Sequence, residues 1–440
     1  MKNFRLLPLS LALSAAFALP VHAQSLIDLY EAARSYDAAY LSAKSLAQAN
    51  QHKADQAKAS LLPSVNLSAT ASSGQVTTET PTPGDRKFDT QSTSVSLSQP
   101  LYRPANLASY QQGKRQADIA EAQLLAAEQD LIVRTSQSYF DVLGAQDTLA
   151  FVQAQKAAVA EQLASAKRNF EVGTATITDT REAQARHDLV TAQEIAAEND
   201  LRVKKLALDK LTGKVNTAPK PLSSNTLPPL QPTDVTPWVE QAQSLHPGIK
   251  QSRIALEVAE LETEKSIAGH KPTLDFTASH NLNSNVNGNT TLATSSRSNS
   301  QIVGVTLTLP LFAGFATQNR LRETLSLEDK ARADLEAVTR DTIQGTRAAF
   351  FGVLSGLGQV KALEAAEASS QSALDANKLG YQVGVRINID VLNAQSQLYQ
   401  TKRDLAKARY DVLVGGLKLR QASGTLKTED LTAINELLAK

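Results

Sequence analysis

The sequence predicts a mainly α-helical fold carrying membrane β-strands, laid out as an internal duplication. Three observations predict it. Hydrophobic residues make up 42% of the chain but aromatics only 5%, so Ala, Leu and Val carry most of the apolar content, a composition that favours long, closely packed helices. Distinct segments recur at an offset of 209 to 211 residues, and internal repetition constrains a fold more than any single motif. Four segments of about ten residues alternate apolar with small polar side chains, the period of two expected of strands.

Composition also excludes chemistry. The 440 residues hold 45 Lys and Arg against 44 Asp and Glu, a formal charge of +1, which supplies no field for nucleic acid. Without Cys there is no disulfide framework, thiolate nucleophile, zinc–thiolate site or cysteine-held iron–sulfur cluster.

The elements follow in chain order. Lys2 and Arg5 precede an apolar run from Leu6 to Leu19 and then Val21, His22 and Ala23, which reads as a secretory signal over 1–23, cleaved after Ala23. That run falls short of the roughly 20 residues needed to span a bilayer, and no later segment approaches such a length, so any further membrane entry is by strands. The first copy, 24–213, opens with a helix from Leu26 to Ser60 that Pro63 stops. In the hairpin 63–100, Val65, Leu67, Ala69 and Ala71 alternate with Asn66, Ser68, Thr70 and Ser72, and Val95 and Leu97 alternate with serines. The segment between, Ser73 to Thr90, is polar and predicts a loop in water.

A helix follows over 106–170 with no internal Pro; at 1.5 Å per residue it is roughly 100 Å long, more than a globular core can cover. It must pack along its length on similar helices, and Leu149, Val152, Val159, Leu163, Ala166 and Phe170 give it a three-four seam broken only by Lys156. A helix over 178–211 closes the copy. Residues 214–237 contain Pro219, Pro221, Pro228, Pro229, Pro232 and Pro237 and form a linker that can be neither helix nor central strand.

The second copy, 238–440, repeats the order: a helix, a hairpin over 272–310, a long helix over 317–381, a helix over 390–421 and a tail. Its strands carry Leu274, Phe276 and Ala278, then Val303, Val305, Leu307 and Leu309, around a polar loop from His280 to Ser300. Val391, Leu398, Leu405, Val412 and Leu419 fall every seventh residue, with Ala394, Thr401, Ala408, Gly415 and Ala422 three further on, a heptad seam of one bulky and one small row. Tyr102, Tyr110, Phe312 and Phe315 gather where strand meets helix; they read either as a membrane-interface belt or as packing at a corner. Leu62-Pro63-Ser64-Val65 answers Lys271-Pro272-Thr273-Leu274, and Phe170-Glu171-Val172-Gly173 answers Tyr381-Gln382-Val383-Gly384. Four strands cannot stay open in lipid, and the smallest membrane barrels have eight. A barrel here is therefore shared by two, three or four chains; closure alone leaves the number open.

The stretch Leu379-Gly380-Tyr381-Gln382-Val383-Gly384-Val385-Arg386, the run Asp390-Val391-Leu392-Asn393-Ala394 and the pair of motifs Arg168 to Gly173 and Ile177-Thr178-Asp179 carry a family resemblance. Over the whole mature sequence the chain resembles the TolC family of outer-membrane channel-tunnels. The resemblance implies a homotrimeric channel-tunnel. Its shared 12-stranded outer-membrane β-barrel would continue into a 12-helix periplasmic α-barrel closed at the inner end. It further implies a periplasmic adaptor (membrane fusion protein) and an inner-membrane ABC transporter or RND-type pump as partners, outer-membrane lipid around the barrel, no cofactor and no nucleic acid. The cargo, secreted protein or small toxic compounds, is not readable.

The same resemblance assigns residues. Asp390 would form a carboxylate ring at the pore constriction, weakly selecting cations. At the second constriction position the family usually has Asp; Asn393 here should weaken divalent-cation blockage. Tyr381 would donate to Asp179, and Arg386 would contact Asp179 or the Thr178 region, a closed-state latch. Gly173 and Gly384 would mark the adaptor-docking turns. Each has a plainer reading: Asp390 as the N-cap of the following helix, Asp179 with Glu182 as a capping box, and the glycines as turn positions with positive φ. Enzymatic motifs fail: six His residues show no metal spacing, and Thr212-Gly213-Lys214-Val215 is no P-loop. The rivals are a coiled-coil rod or adaptor, which the two hairpins disfavour, and a periplasmic enzyme, which lacks a catalytic cluster.

Overall fold

A computed structural model describes residues 23–79, 84–223 and 226–439; the signal sequence lies outside them except for Ala23. The chain divides into two compact units, one of Met1–Ser42, Leu125–Pro247 and Arg340–Lys440, the other of Ala43–Leu124 and Gly248–Thr339.

The second unit holds four strands, β1 Ser64–Thr78, β2 Gly84–Tyr102, β3 Thr273–Val286 and β4 Ser296–Thr308, in one antiparallel sheet ordered β1-β2-β3-β4. The strands are longer than the apolar alternation predicts, at 15, 19, 14 and 13 residues. Much of each polar loop is therefore strand: Ser73 pairs with Asp89, and Asn285 with Ser296. Pairing is made by the backbone, so it continues where both side-chain rows turn polar and the sequence signal fades. At the end of β2, Arg103 holds Asp275 of β3 through two bonds of 2.7 and 2.6 Å.

The expected helix Leu26 to Ser60 is broken: α1 covers Leu26–Tyr36 and α2 Ala38–Lys58. Asp37, at φ −61 and ψ 117, ends α1, and its carboxylate accepts from the Tyr40 backbone at 2.8 Å and from both terminal nitrogens of Arg134 at 3.0 Å. The side chain thus caps one helix while a guanidinium neutralises it. The second copy breaks equivalently between α5 Thr236–Leu245 and α6 Pro247–Ala268, where Pro247 forces His246 out of the helical region.

The chain forms two helical hairpins, α3 Pro104–Glu171 with α4 Ile177–Thr212 and α7 Ala316–Gln382 with α8 Asn388–Ala422, of which the parts from Leu125 and from Arg340 onward belong to the first unit. Val152, Val159, Leu163 and Ala166 of α3 pack with Ala183 and Val190 of α4 and with Leu392 of α8. Lys156, the break in that seam, reaches Glu194 of α4 at 2.6 Å; Phe170, expected in it, is exposed because the hairpin turns there. All five bulky residues of the α8 heptad are buried, Val391 and Leu398 against Leu374 of α7. The Pro-rich segment docks on the helices: Trp238 packs with Phe350, Val353 and Leu419, and Leu230 and Val235 join it. Leu222 bridges to Leu438 beyond α9 Asp430–Asn435.

Candidate functional site

In the sheet, register decides what each face presents. Val65 lies opposite Leu97, Leu97 opposite Ala278, and Ala278 opposite Val303; Leu274 lies opposite Leu307 and Phe276 opposite Val305. Directly paired residues point the same way, so the four alternations merge into one apolar face. It is open to solvent in the single chain, with Leu67 at 72% and Val303 at 70% exposure. The other face carries Ser, Thr and Asn, joined across strands by Ser94 to Asn281 at 2.6 Å and Asn285 to Ser296 at 3.0 Å. Beside the sheet, Phe312 and Phe315 are exposed and meet edge to face at 5.5 Å.

At the turns of the two helical hairpins the copies are superimposable in their bonding. Gly173, at φ 78, donates to Phe170 O and Thr174 to Asn169 O; Gly384, at φ 80, donates to Tyr381 O and Val385 to Gly380 O. Both are the helix-ending motif with a left-handed residue, and no atom lies within 4 Å of a Cβ built on either glycine. Conformation, not space, requires glycine there. Val172, Val383, Val385 and Ile387 are exposed around these turns.

The expected latch residues sit beside one another but with different partners inside one chain. Asp179 is the third residue of α4: its carboxylate accepts from the Thr176 backbone at 3.0 Å and from the Thr176 hydroxyl at 2.7 Å. The capping box is therefore Thr176–Asp179, not Asp179–Glu182, because α4 starts at Ile177, one residue before Thr178. With that carboxylate turned onto Thr176, the Tyr381 hydroxyl accepts instead from Asn169 Nδ2 at 3.3 Å. Arg386 pairs with Asp390 at 3.6 Å rather than with Asp179 or Thr178. A Cβ on Gly380 would meet Arg386 Cγ at 2.7 Å, so the glycine lets the arginine stem fold back. Asp390 is not a cap either: Ile387 holds that position without a side-chain bond.

Sequence reasoning missed two residues. Asn388, 0% exposed, accepts from Gln162 of α3 and donates to the Asp179 carbonyl of α4 at 3.3 Å. Arg186 of α4 donates to Asn393 Oδ1 at 2.9 Å, so a cation occupies the neighbourhood where a second carboxylate was the family norm. The signal for Asn388 was its offset of 211 from Ile177, a polar residue in one copy facing an apolar one in the other.

The model of the outer membrane efflux protein family matches residues 29–214 and 238–425, one stretch in each copy. The chain belongs to that family. It is 33% identical over 433 residues to the outer membrane protein TolC of Vibrio cholerae, covering 98% of each. It is 31% identical over 431 residues to the alkaline protease secretion protein AprF of Pseudomonas aeruginosa, covering 95% of this chain and 87% of that one. Among solved structures, the outer membrane protein VceC of Vibrio cholerae shares the fold at TM-score 0.77 and 19% identity, covering 91% of this chain and 96% of that one.

As an outer membrane efflux protein, the chain is an exit duct in the outer membrane, with a periplasmic extension, and not an enzyme. Among the described residues no helix is long and apolar enough to cross a membrane, and no group of three or more His, Asp or Glu could hold a metal.

Proposed function

We propose that three copies close their sheets into one 12-stranded barrel and their helices into a 12-helix tunnel. The observation that carries this is a four-stranded sheet that gathers the apolar residues of all four alternations on one face and leaves two edges, β1 and β4, unpaired. In lipid each unpaired backbone group costs several kcal/mol, and β4 of one copy pairing with β1 of the next removes both edges. The Ser, Thr and Asn face then lines a wet pore.

In this assembly the hairpin turns form the periplasmic entrance. Gly173 and Gly384 mark the docking turns for a periplasmic adaptor, whose inner-membrane ABC transporter or RND-type pump supplies the energy. Asp390, with Asn393 beyond it, rings the constriction, and Thr178, Asp179, Tyr381 and Arg386 latch it, with Asp179 and Arg386 exchanging Thr176 and Asp390 for each other across neighbouring copies. Breaking each polar link costs about 1 to 3 kcal/mol, within reach of a docking partner. Protein cargo is supported by the relative named for protease secretion; the family description names efflux, and small toxic compounds are the second cargo class we propose.

Single-channel conductance of the purified protein in planar bilayers tests the reading. The parent should show a small, cation-selective conductance that rises several-fold in a Tyr381→Phe/Arg386→Ser double variant. An unchanged conductance removes the latch and leaves the duct; no channel from a folded oligomer removes the pore assembly.

A further inference from the structure

Among the described residues, the strands place just two side chains charged at neutral pH on the Ser, Thr and Asn face of the sheet, one near each end. Arg86 stands eight residues before Ser94 on β2, and Asp275 six before Asn281 on β3. The registers run without a shift over both stretches, and an even separation keeps a residue on the same face. Asp85, Lys87, Asp89 and Arg297 fall on the opposite face.

The two charges meet different partners. Asp275 is neutralised by Arg103. Arg86 instead donates Nη1 to Asn287 O at 2.5 Å and Nη2 to Asn289 O at 2.6 Å, both in the turn between β3 and β4, and lies 6.0 Å over the Phe88 ring. Its acceptors are neutral carbonyls, so the charge persists, and a guanidinium does not lose its proton in a protein. Glycine shapes the seat from both hairpins: a Cβ on Gly288, whose φ is 89, would run into Arg86 Nη1, and one on Gly74 would lie 2.6 Å from Phe88 Cζ. Glu79, in the turn beyond β1, is exposed and forms no ion pair with Arg86 among the described residues.

We propose that Arg86 sets the charge preference of the duct's outer mouth and draws polyvalent anions to it. The inference rests on the duct reading and deepens it. In a closed barrel each copy contributes one guanidinium at the same height, at the strand ends remote from the helices, so the charges form a ring. Rings of arginine favour anions in a water-filled pore, and salt sets their reach, about 10 Å at 0.1 M and about 3 Å at 1 M. The ring is opposite in sign to the one proposed for Asp390, so the two ends of the duct favour opposite ions. A purely mechanical role is the rival, because the same two bonds tie the β3–β4 turn to the first hairpin. Lysine separates the two roles: it keeps the charge but lacks the planar fork that serves two carbonyls at once.

The test is the potassium-to-chloride permeability ratio of the full-length protein in planar bilayers at low salt. Each substitution is also read with Asp390→Asn, so that the entrance carboxylates do not mask the outer mouth. Arg86→Gln should raise the ratio, Arg86→Glu should raise it further, and Arg86→Lys should leave it at the parent's value. All three should converge on the parent at about 1 M salt, where screening is strongest. Tripolyphosphate added on the barrel side should reduce the current of the parent and of Arg86→Lys more than that of Arg86→Gln. A ratio unmoved by both Arg86→Gln and Arg86→Glu in the Asp390→Asn background, or a lysine variant that follows the glutamine one, would overturn the proposal and leave Arg86 as a tie between hairpins. A parent that forms no channel overturns the duct reading itself, and the ring with it.

Discussion

Tyr410 of α8 donates its hydroxyl to Asp147 of α3 at 2.6 Å and stacks on Phe140 with ring centres 5.5 Å apart. Burial raises the Asp147 carboxyl above the usual carboxylate range, and the bond from Tyr410 offsets only part of that. The folded chain therefore holds this proton to higher pH than the unfolded chain does. Stability falls as pH rises from the ordinary carboxylate value through the raised one, and the loss is complete above it. Asp147→Asn keeps an acceptor for Tyr410 without the charge. It should be more stable than the parent at neutral pH by about 0.5 to 1 kcal/mol after discounting for the exposed part of the carboxyl, read as a higher thermal midpoint. The gap should close as the solution is acidified; a gap independent of pH would refute the assignment. At this scale the sequence was least legible. Asp390 and Asp179 read as an N-cap and a capping-box carboxylate, and the partners they take, Arg386 and Thr176, lie within four residues of them; the bond from Asn388 to the Asp179 carbonyl depends on a second hairpin arriving from 209 residues away.

At the level of elements, the break at Asp37 shows what periodicity hides. Leu26, Leu29, Tyr30 and Ala33 are buried on α1, and the helical pattern runs on into α2 without a Pro or Gly to interrupt it. The clue lay in the duplication: Pro247 stands 209 residues after Ala38, and the proline, which marks a helix start in the second copy, points to the same start at Ala38 in the first. What holds the break in the first copy is Arg134, whose bonds to Asp37 keep that carboxyl below its ordinary range. Because the folded value is lowered, the stabilisation is present above the ordinary carboxylate value and is lost as pH falls through the lowered one. Arg134→Met should therefore cost about 1 kcal/mol at neutral pH, read as a lower thermal midpoint, and should cost progressively less under acid conditions. A cost that persists unchanged in acid would mean that packing of the arginine stem, not its charge, sustains the break. By contrast the long helices, the heptad seam of α8 and the strands' apolar cores were legible, because each depends on local periodicity that tertiary contacts reinforce.

For the molecule as a whole, the strongest constraint is that a single copy leaves its apolar sheet face uncovered and both sheet edges unpaired. Closure into a barrel gives the two faces opposite environments, which solvent around one chain does not. Val303 and Ser300 belong to opposite faces of β4, as their pairing with Ala278 and Asn281 fixes. An arginine at Val303 would sit in hydrocarbon at a cost of about 2 to 4 kcal/mol near the bilayer midplane, whereas one at Ser300 would remain in the water of the pore. Val303→Arg should thus reduce the fraction of assembled oligomer recovered in lipid vesicles. Ser300→Arg should assemble normally and shift the potassium-to-chloride permeability ratio towards chloride, because each copy adds a positive charge to the lumen. If both variants assembled equally well and neither moved the permeability ratio, the apolar face would have to be covered by protein rather than lipid. The sheet would then pack inside an assembly instead of lining a pore, since only a lipid–water boundary assigns different costs to the two faces of the same strand.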